Sequence, residues 1–206
     1  LAITRLLALG AVRTSSGVHL PDQNVQLDFL DAAHDLRSLA AMAPSMADDQ
    51  ERRGLQLAMV CRYALETAVL TDIYAIDAAA EEVVAKVSIP VAVAGALVAM
   101  KVHSALSPER NPVKVASDIY DAWRIIRAWG PSVIAEDLSR APVPMLATTI
   151  DQIRILFAEE VDRTARRLAS ASVPGVEAVN ADILEDASVV ADLLEPFLAW
   201  DRSRDT

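Results

Sequence analysis

Several residue types that define whole classes of protein are scarce in this chain of 206 residues. It contains one cysteine, Cys61, so neither a disulfide nor a cysteine-based metal centre can form within one chain, and a reducing cytoplasm fits. The most apolar stretch, residues 87–100, is too short to span a bilayer and is interrupted by Pro90 and Gly95. Residues 1–9 lack the apolar region of a secretory signal. These features predict a cytoplasmic protein without a transmembrane segment.

Aromatic residues make up 4% of the chain although hydrophobic residues make up 53%, so Ala, Val, Leu and Ile must build most of the core. This composition favours helices that pack closely through small side chains. The formal net charge of −10 argues against a general nucleic-acid coat, because phosphate binding draws its affinity from clustered Lys and Arg. Arg163, Arg166 and Arg167 share one stretch of predicted helix. They belong either to an RNA-facing patch or to a solvated mixed-charge face, and the other candidates for such a patch are Arg52, Arg53, Arg110, Arg124 and Arg127.

The motifs of several enzyme classes are missing as well. The three histidines, His19, His34 and His103, are dispersed without the spacing of metal ligands. The chain has no Gly-x-Ser-x-Gly nucleophile elbow, no Gly-x-x-x-x-Gly-Lys phosphate loop and no glycine-rich dinucleotide fingerprint. A histidine metal site, an acyl-transfer triad and a phosphate-loop NTPase are therefore disfavoured.

The clearest β signal lies near the start of the chain. Residues 11–20 and 25–30 are strand-like, and the turn chemistry of residues 21–24 predicts that they form a hairpin. In the second of these strands, Asp28 faces away from the larger apolar residues.

The rest of the chain shows mostly helical periodicity. Residues 83–89 are rich in β-branched side chains and predict a strand that ends at Pro90, whereas 69–76 is ambiguous between helix and strand. Helices are predicted over residues 1–10, 47–70, 94–106, 115–129, 145–169 and 176–200. The prediction is an α+β protein, with a small mixed β-sheet lobe over residues 1–93 and a helical lobe over residues 94–206.

Lysine is scarce, so the positions of Lys86, Lys101 and Lys114 are informative. Lys101 stands in an apolar helical segment, with Leu97 and Ala105 one turn away on either side. Either its ammonium group extends past this apolar surface to water, or it provides a point charge for a phosphate group.

Two aspartates stand near the start of the next predicted helix. Asp118 and Asp121 lie three residues apart and so share one face of it. One explanation is structural, because the helix dipole favours carboxylates in a first turn. The other is that one of them orients Lys101 or helps to hold a metal-bound triphosphate.

Residues 88–106 contain the sequence MKVHSAL around Lys101, and are followed by Lys114 and by SDIYDA at 117–122. This order of strand, lysine-bearing helix, polar loop and aspartate-bearing helix resembles the second half of the AbiEii-type nucleotidyltransferases. Those proteins are toxins of type IV toxin–antitoxin systems with a DNA-polymerase-β-like fold. The strand VQLDFL at 25–30 is similar to the strand that supplies the family's third carboxylate.

The resemblance implies a Mg²⁺-dependent enzyme that transfers a nucleotide from an NTP to the 3′ end of an RNA. The expected acceptor is tRNA, and the expected protein partner is a cognate antitoxin. By the same resemblance Lys101 holds the triphosphate, with Asp121 as a helper in nucleotide binding. Asp118 is the acidic partner of the lysine in catalysis, and Asp28 is a metal-binding carboxylate. Residues 1–93 then form a partial nucleotidyltransferase lobe.

The resemblance extends over residues 18–129 but lacks the family's first motif, a Gly-Ser or Gly-Gly followed by an Asp-x-Asp strand. Either that motif precedes Leu1 in a longer protein, which the absence of an initiator methionine favours, or the chain is a catalytically silent binding or protein-interaction module. A third alternative is a helical scaffold in which Lys101 only reaches water.

Overall fold

A computed structural model of the chain describes residues 6–8, 10–13, 17–21, 25–28, 34–45, 48–77, 82–108, 110–170, 192 and 194–195. The residues form two compact units, Leu1–Ala33 and His34–Thr206. Both strands and helices occur in the described residues, so the predicted α+β class is confirmed. None of the helices described there is long and apolar enough to cross a membrane.

The first unit contains a three-stranded antiparallel sheet. Its strands are β1 (Val12–Arg13), β2 (Gly17–Leu20) and β3 (Val25–Asp28), in that spatial order. Gly17 pairs with Asp28 and Leu20 with Val25, which confirms the predicted hairpin for β2 and β3. The single strand predicted over residues 11–20 is in fact two strands, because β1 pairs with β2. Residues 6–8 are helical, and Gly10, with a φ of 90°, follows them as a helix-ending glycine does.

The second unit is mostly helical in its described residues. Its elements in chain order are α1 (Leu36–Met42), a 3-10 turn (Ala43–Ser45), α2 (Asp49–Glu66), β4 (Val69–Asp77), β5 (Glu82–Val91), α3 (Ala94–Ala105), α4 (Pro112–Trp129), α5 (Pro131–Ser139), α6 (Val143–Arg154), a π-helical segment (Ile155–Glu159) and α7 (Val161–Ser170).

Local sequence signals determine where the two longest of these helices begin. Asp48 caps α2, since its side chain accepts hydrogen bonds from the backbone N–H groups of Gln50 at 2.6 Å and Glu51 at 3.2 Å. Asn111 caps α4 in the same way, through a bond of 2.9 Å to a backbone N–H of the first turn. Pro112 follows at the first helical position, where a missing N–H is tolerated.

Helix α3 lies at the centre of the core and packs against α2, α4, α5 and α6. Its fully buried positions carry small or β-branched side chains, namely Ala96, Val98, Ala99 and Val102. Gly95 allows the closest approach, because a Cβ there would lie 2.5 Å from the Cβ of Asp137 and 3.0 Å from the carbonyl oxygen of Ile134 on α5. The N–H of Gly95 donates to Asp137 Oδ2 at 3.0 Å. The core thus contains the close helix contacts that the composition predicted.

The ribbon formed by β4 and β5 has two different faces, because paired residues of neighbouring strands point to the same side. One face consists of the cross-strand pairs Val69–Val91, Thr71–Ile89, Ile73–Val87 and Ala75–Ala85. These eight residues include no charged side chain, and we call them the apolar ribbon face. The opposite face carries Asp72 and Lys86, whose side chains form an ion pair at 2.7 Å, with the ring of Tyr74 beside the ammonium group.

Most predicted elements occur where they were expected. The strand at 83–89 is confirmed, and the ambiguous segment at 69–76 is a strand because it pairs with it. Helix α5 was not predicted, since Gly130 and Pro131 read as the end of one helix and Pro131 in fact begins another. The predicted helix at 145–169 is interrupted by the π-helical segment.

Three further expectations concern the arrangement of the chain. The predicted helix over residues 176–200 lies outside the described residues apart from positions 192, 194 and 195. The described strands form two separate antiparallel sheets in place of one mixed sheet, because each pairs with its neighbour along the chain. Buried residues before and after position 93, such as Val60 and Val98, share one core. A functional division into residues 1–93 and 94–206 stays a prediction.

Candidate functional site

Lys101 lies near the end of α3, and its ammonium group meets two carboxylates of α4. Its Nζ is 3.1 Å from Asp118 Oδ1 and 2.6 Å from Asp121 Oδ2. The two aspartates are three residues apart on the side of α4 that faces α3. The structure therefore brings together the lysine and both of the helix aspartates that the sequence singled out. The ammonium group does not simply extend into water.

Asp118 is the buried member of this cluster. Its side chain is 4% exposed, whereas the side chains of Lys101 and Asp121 are 33% and 39% exposed. The second carboxylate oxygen of Asp118, Oδ2, accepts hydrogen bonds from Arg110 Nε at 2.9 Å and Arg110 Nη2 at 2.7 Å. Arg110 belongs to the loop between α3 and α4. Each oxygen of Asp118 thus faces a different cation, and the carboxylate links α3, α4 and their connecting loop.

The surroundings of Lys101 shift the pKa of its ammonium group in two opposite directions. Partial burial lowers the pKa of the ammonium group, because burial disfavours the charged form. The hydrogen bonds and negative charges of Asp121 and Asp118 outweigh this effect, so the net pKa lies above its ordinary value of 10.5. Lys101 is therefore charged at physiological pH. The two carboxylates use two of its three N–H donors, which leaves a donor for a phosphate oxygen.

Arg110 also lines a cleft of about 440 Å³ beside the cluster. The cleft lies between the loop that follows α3, the start of α4, and α7, and its other charged residues are Glu160, Arg163 and Arg167. Arg163 Nη1 donates to both carboxylate oxygens of Glu160, at 3.0 and 2.9 Å. Three guanidinium groups and one carboxylate therefore face a space large enough for a small molecule.

His103 lies two residues after Lys101 but makes a separate contact. Its ring is buried, and Nδ1 lies 3.2 Å from the amide nitrogen of Gln152, which can only donate. Burial lowers the pKa of the imidazole; a hydrogen bond to the backbone of Arg53 raises it and the Arg53 charge lowers it. A neutral ring that accepts from Gln152 satisfies this arrangement. His103 is thus a hydrogen-bonded residue of the interior.

Asp28, the predicted metal ligand, is the last residue of β3 in the first unit. The contacts of its side chain lie outside what the structure describes, so this role stays a prediction. At the Lys101 cluster, Asp118 and Asp121 do not by themselves fit Mg²⁺, because three of their four oxygens accept hydrogen bonds from Lys101 or Arg110. In the described part of the chain, no group of three or more His, Cys, Asp and Glu side chains is placed to hold a metal ion.

Several arginines that were candidates for an RNA-facing patch have partners within the protein. Arg124 and Arg127 lie over the rings of Tyr120 and Trp123, at 5.5 and 5.1 Å from the ring centres. The ion pair of Arg163 with Glu160 joins neighbouring turns around the start of α7. These contacts fit a mixed-charge surface, and the role of the patch in RNA binding stays a prediction.

Arg110 was predicted only as a candidate for an RNA-facing patch, although one signal in the sequence connects it to Lys101 and Asp118. Arg110 stands in the short loop that connects the lysine-bearing helix to the aspartate-bearing helix, so it must lie close to both helices.

Comparison of this chain with protein-family models, with curated proteins and with solved structures found no match. The assignment of the site therefore depends on its own residues and geometry.

Proposed function

We propose that this protein is a nucleotidyltransferase that transfers a nucleotide from an NTP to the 3′ end of an RNA, with tRNA as the acceptor. The observation that supports this proposal is that Lys101, Asp118 and Asp121 lie in one cluster. The resemblance to the AbiEii-type enzymes implies such a cluster. A cognate antitoxin protein, Mg²⁺ and a cytoplasmic location belong to the same proposal.

The cluster suits the binding of a triphosphate because its cations keep unused donors. Lys101 offers its third N–H to a phosphate oxygen, and Arg110 has five donors of which Asp118 takes two. The half-exposed Asp121 is the partner that a phosphate oxygen displaces most easily, since an exposed ion pair contributes only about 0–1 kcal/mol. The buried Asp118 meanwhile keeps both cations in place. Asp118 is therefore a positioning residue for Lys101 and Arg110.

Label transfer tests this proposal. The full-length protein is incubated with each labelled NTP, Mg²⁺ and total tRNA, in parallel with Lys101→Met and with the control Lys114→Met. Lys114 is an exposed lysine on α4, the helix that carries Asp118. We expect labelled tRNA with wild type and with Lys114→Met, and a loss of about 10- to 100-fold with Lys101→Met, because a charge-assisted bond contributes about 1.5–3 kcal/mol. No transfer from any NTP, or undiminished transfer by Lys101→Met, contradicts the proposal.

A nucleotide-binding module without transfer is the second candidate. The observation that favours it is the saturation of Asp118, since a carboxylate with a cation on each oxygen is well suited to hold α3 and α4 together. Thermal unfolding with and without NTP separates the candidates, because a ligand at 100 times its Kd stabilises the folded state by about 2.7 kcal/mol. A shift in Tm without label transfer supports the binding module. Transfer of the label to tRNA excludes a binding module without transfer.

A further inference from the structure

The apolar ribbon face leaves a row of large aliphatic side chains in water. Val69, Ile73, Val87 and Ile89 are all exposed, although none of the eight positions on this face carries a charge. The opposite face also exposes Leu70 and Tyr74, but it carries an ion pair and a polar cross-strand contact. The apolar ribbon face, which has no charged side chain, is therefore the face of the ribbon that a partner can cover at the lower cost. A two-stranded ribbon is marginally stable alone, and a contiguous exposed apolar patch marks an interaction site.

The same surface continues onto the helical body. A cleft of about 330 Å³ at the base of the ribbon is lined on one side by Val69, Thr71 and Val91 of the apolar ribbon face. On the other side it is lined by residues of α3, α4 and α5, including Leu97 and Trp129. Trp129, the last residue of α4, is 61% exposed. A large aromatic side chain beside an apolar cleft is typical of a residue that anchors a protein interface.

We propose that this surface is the interface of a homodimer, in which the apolar ribbon faces of two copies pack against each other about a two-fold axis. The area reaches the lower limit for such a contact when all of it is buried. The exposed surface of its six largest accessible residues is roughly 500 Å² per copy, so that a pair buries on the order of 1,000 Å², the lower limit for a specific interface. These residues are Val69, Ile73, Val87, Ile89, Trp129 and Val133.

The charge of the molecule limits which of its surfaces a second copy can approach. Each copy has a net charge of −10, so two copies repel each other in most orientations. Contact through the apolar ribbon faces removes no charged group from water, and it leaves the polar face of each ribbon in solvent. Two sheets in this arrangement pack about 10 Å apart with interdigitated side chains. Added salt screens the repulsion and therefore strengthens this dimer.

Sedimentation of the full-length protein from low to high micromolar concentration tests the proposal. The variant Ile73→Lys/Val87→Lys introduces two charges on one cross-strand pair at the middle of the apolar ribbon face. The control Leu70→Lys/Tyr74→Lys introduces two charges at exposed positions of the opposite face, both ahead of the register shift that follows Ala75. We expect wild type and control to form a dimer that salt strengthens, and the first variant to have a dissociation constant raised about tenfold or more.

Three results overturn the homodimer. The first is a wild-type protein that stays monomeric at high micromolar concentration. The second is a dimer that both double variants weaken equally. The third is a monomer that binds a different protein through this face. Circular dichroism establishes that each variant is folded. If the variant in the ribbon does not fold, Trp129→Ala on the helical body replaces it, with the same expected weakening. The sedimentation result is independent of nucleotide transfer.

Discussion

Replacement of Asp118 by asparagine removes one negative charge from the centre of the Lys101 cluster with almost no change of shape. In the wild type the carboxylate accepts three hydrogen bonds, one from Lys101 and two from Arg110. An asparagine side chain has one oxygen and one NH₂ group, so it can face only one of the two cations with an acceptor. The other cation then meets a donor. Asp118→Asn should therefore destabilise the fold.

The magnitude follows from burial. Loss of one partner from a fully buried ion pair costs about 3–5 kcal/mol, because a charge is left without compensation. Here Asp118 is buried, but the side chains of Lys101 and Arg110 are 33% and 38% exposed and can regain water. The expected loss is therefore about 2–3 kcal/mol. Asp121→Asn is the matched change at a half-exposed position of the same cluster and should cost about 0–1 kcal/mol.

Urea unfolding at neutral pH, followed by circular dichroism, measures both free energies of unfolding with one protocol. The expected result is a loss at Asp118 that exceeds the loss at Asp121 by at least about 1 kcal/mol. Equal losses, or a loss below about 0.5 kcal/mol for Asp118→Asn, would refute the conclusion that Asp118 holds the cluster together.

Three further predictions concern stability. Gly95→Ala should lower the free energy of unfolding by about 1–3 kcal/mol because its Cβ meets α5. Gly54→Ala, whose Cβ meets no atom within 4 Å beyond the neighbouring backbone of its own helix, should raise it by about 0.5–1 kcal/mol. Urea unfolding measures both, and the same sign for both changes contradicts the packing argument. The pKa of His103 in the folded state lies below 6.5, so the stability of the protein falls as the pH decreases below 6.5. His103→Gln should therefore reduce the difference between the unfolding free energies at pH 7.5 and 5.5. An unchanged difference contradicts this prediction. Because the pKa of Lys101 is raised above 10.5, its charge stabilises the fold equally up to about pH 9, and this stabilisation is lost as the pH rises above 10.5. The difference in unfolding free energy between wild type and Lys101→Met should therefore be equal at pH 7 and 9 and smaller above 10.5. A difference that grows at alkaline pH contradicts the raised pKa.

The sequence was sufficient for much of the fold because the relevant signals are local. Asp48, Asn111 and Pro112 determine where helices begin through contacts within one turn. The strand at residues 69–77 was ambiguous because its β-branched and apolar side chains suit either structure, and only pairing with β5 decides between them. Helix α5 was missed because Gly130 and Pro131 end one helix and begin the next within two residues.

The candidate site was predicted in part for the same reason. Asp118 and Asp121 share a helix face by their spacing alone, and the family resemblance connected them to Lys101. The role of Arg110 depends on the path of a loop, which has no periodicity to read. The exposure of the apolar ribbon face was equally inaccessible, because alternation in a strand shows which side chains share a face but not whether that face is covered.

A calorimetric titration with a non-hydrolysable NTP analogue and Mg²⁺ measures whether Lys101 binds the phosphates of an NTP. Wild type, Lys101→Met and Lys114→Met are compared at one salt concentration. Loss of one charge-assisted bond of about 1.5–3 kcal/mol corresponds to a dissociation constant raised about 10- to 100-fold. We predict that increase for Lys101→Met and unchanged binding for Lys114→Met. Binding of the analogue with the same affinity by all three proteins, or by none of them, would contradict this role of Lys101.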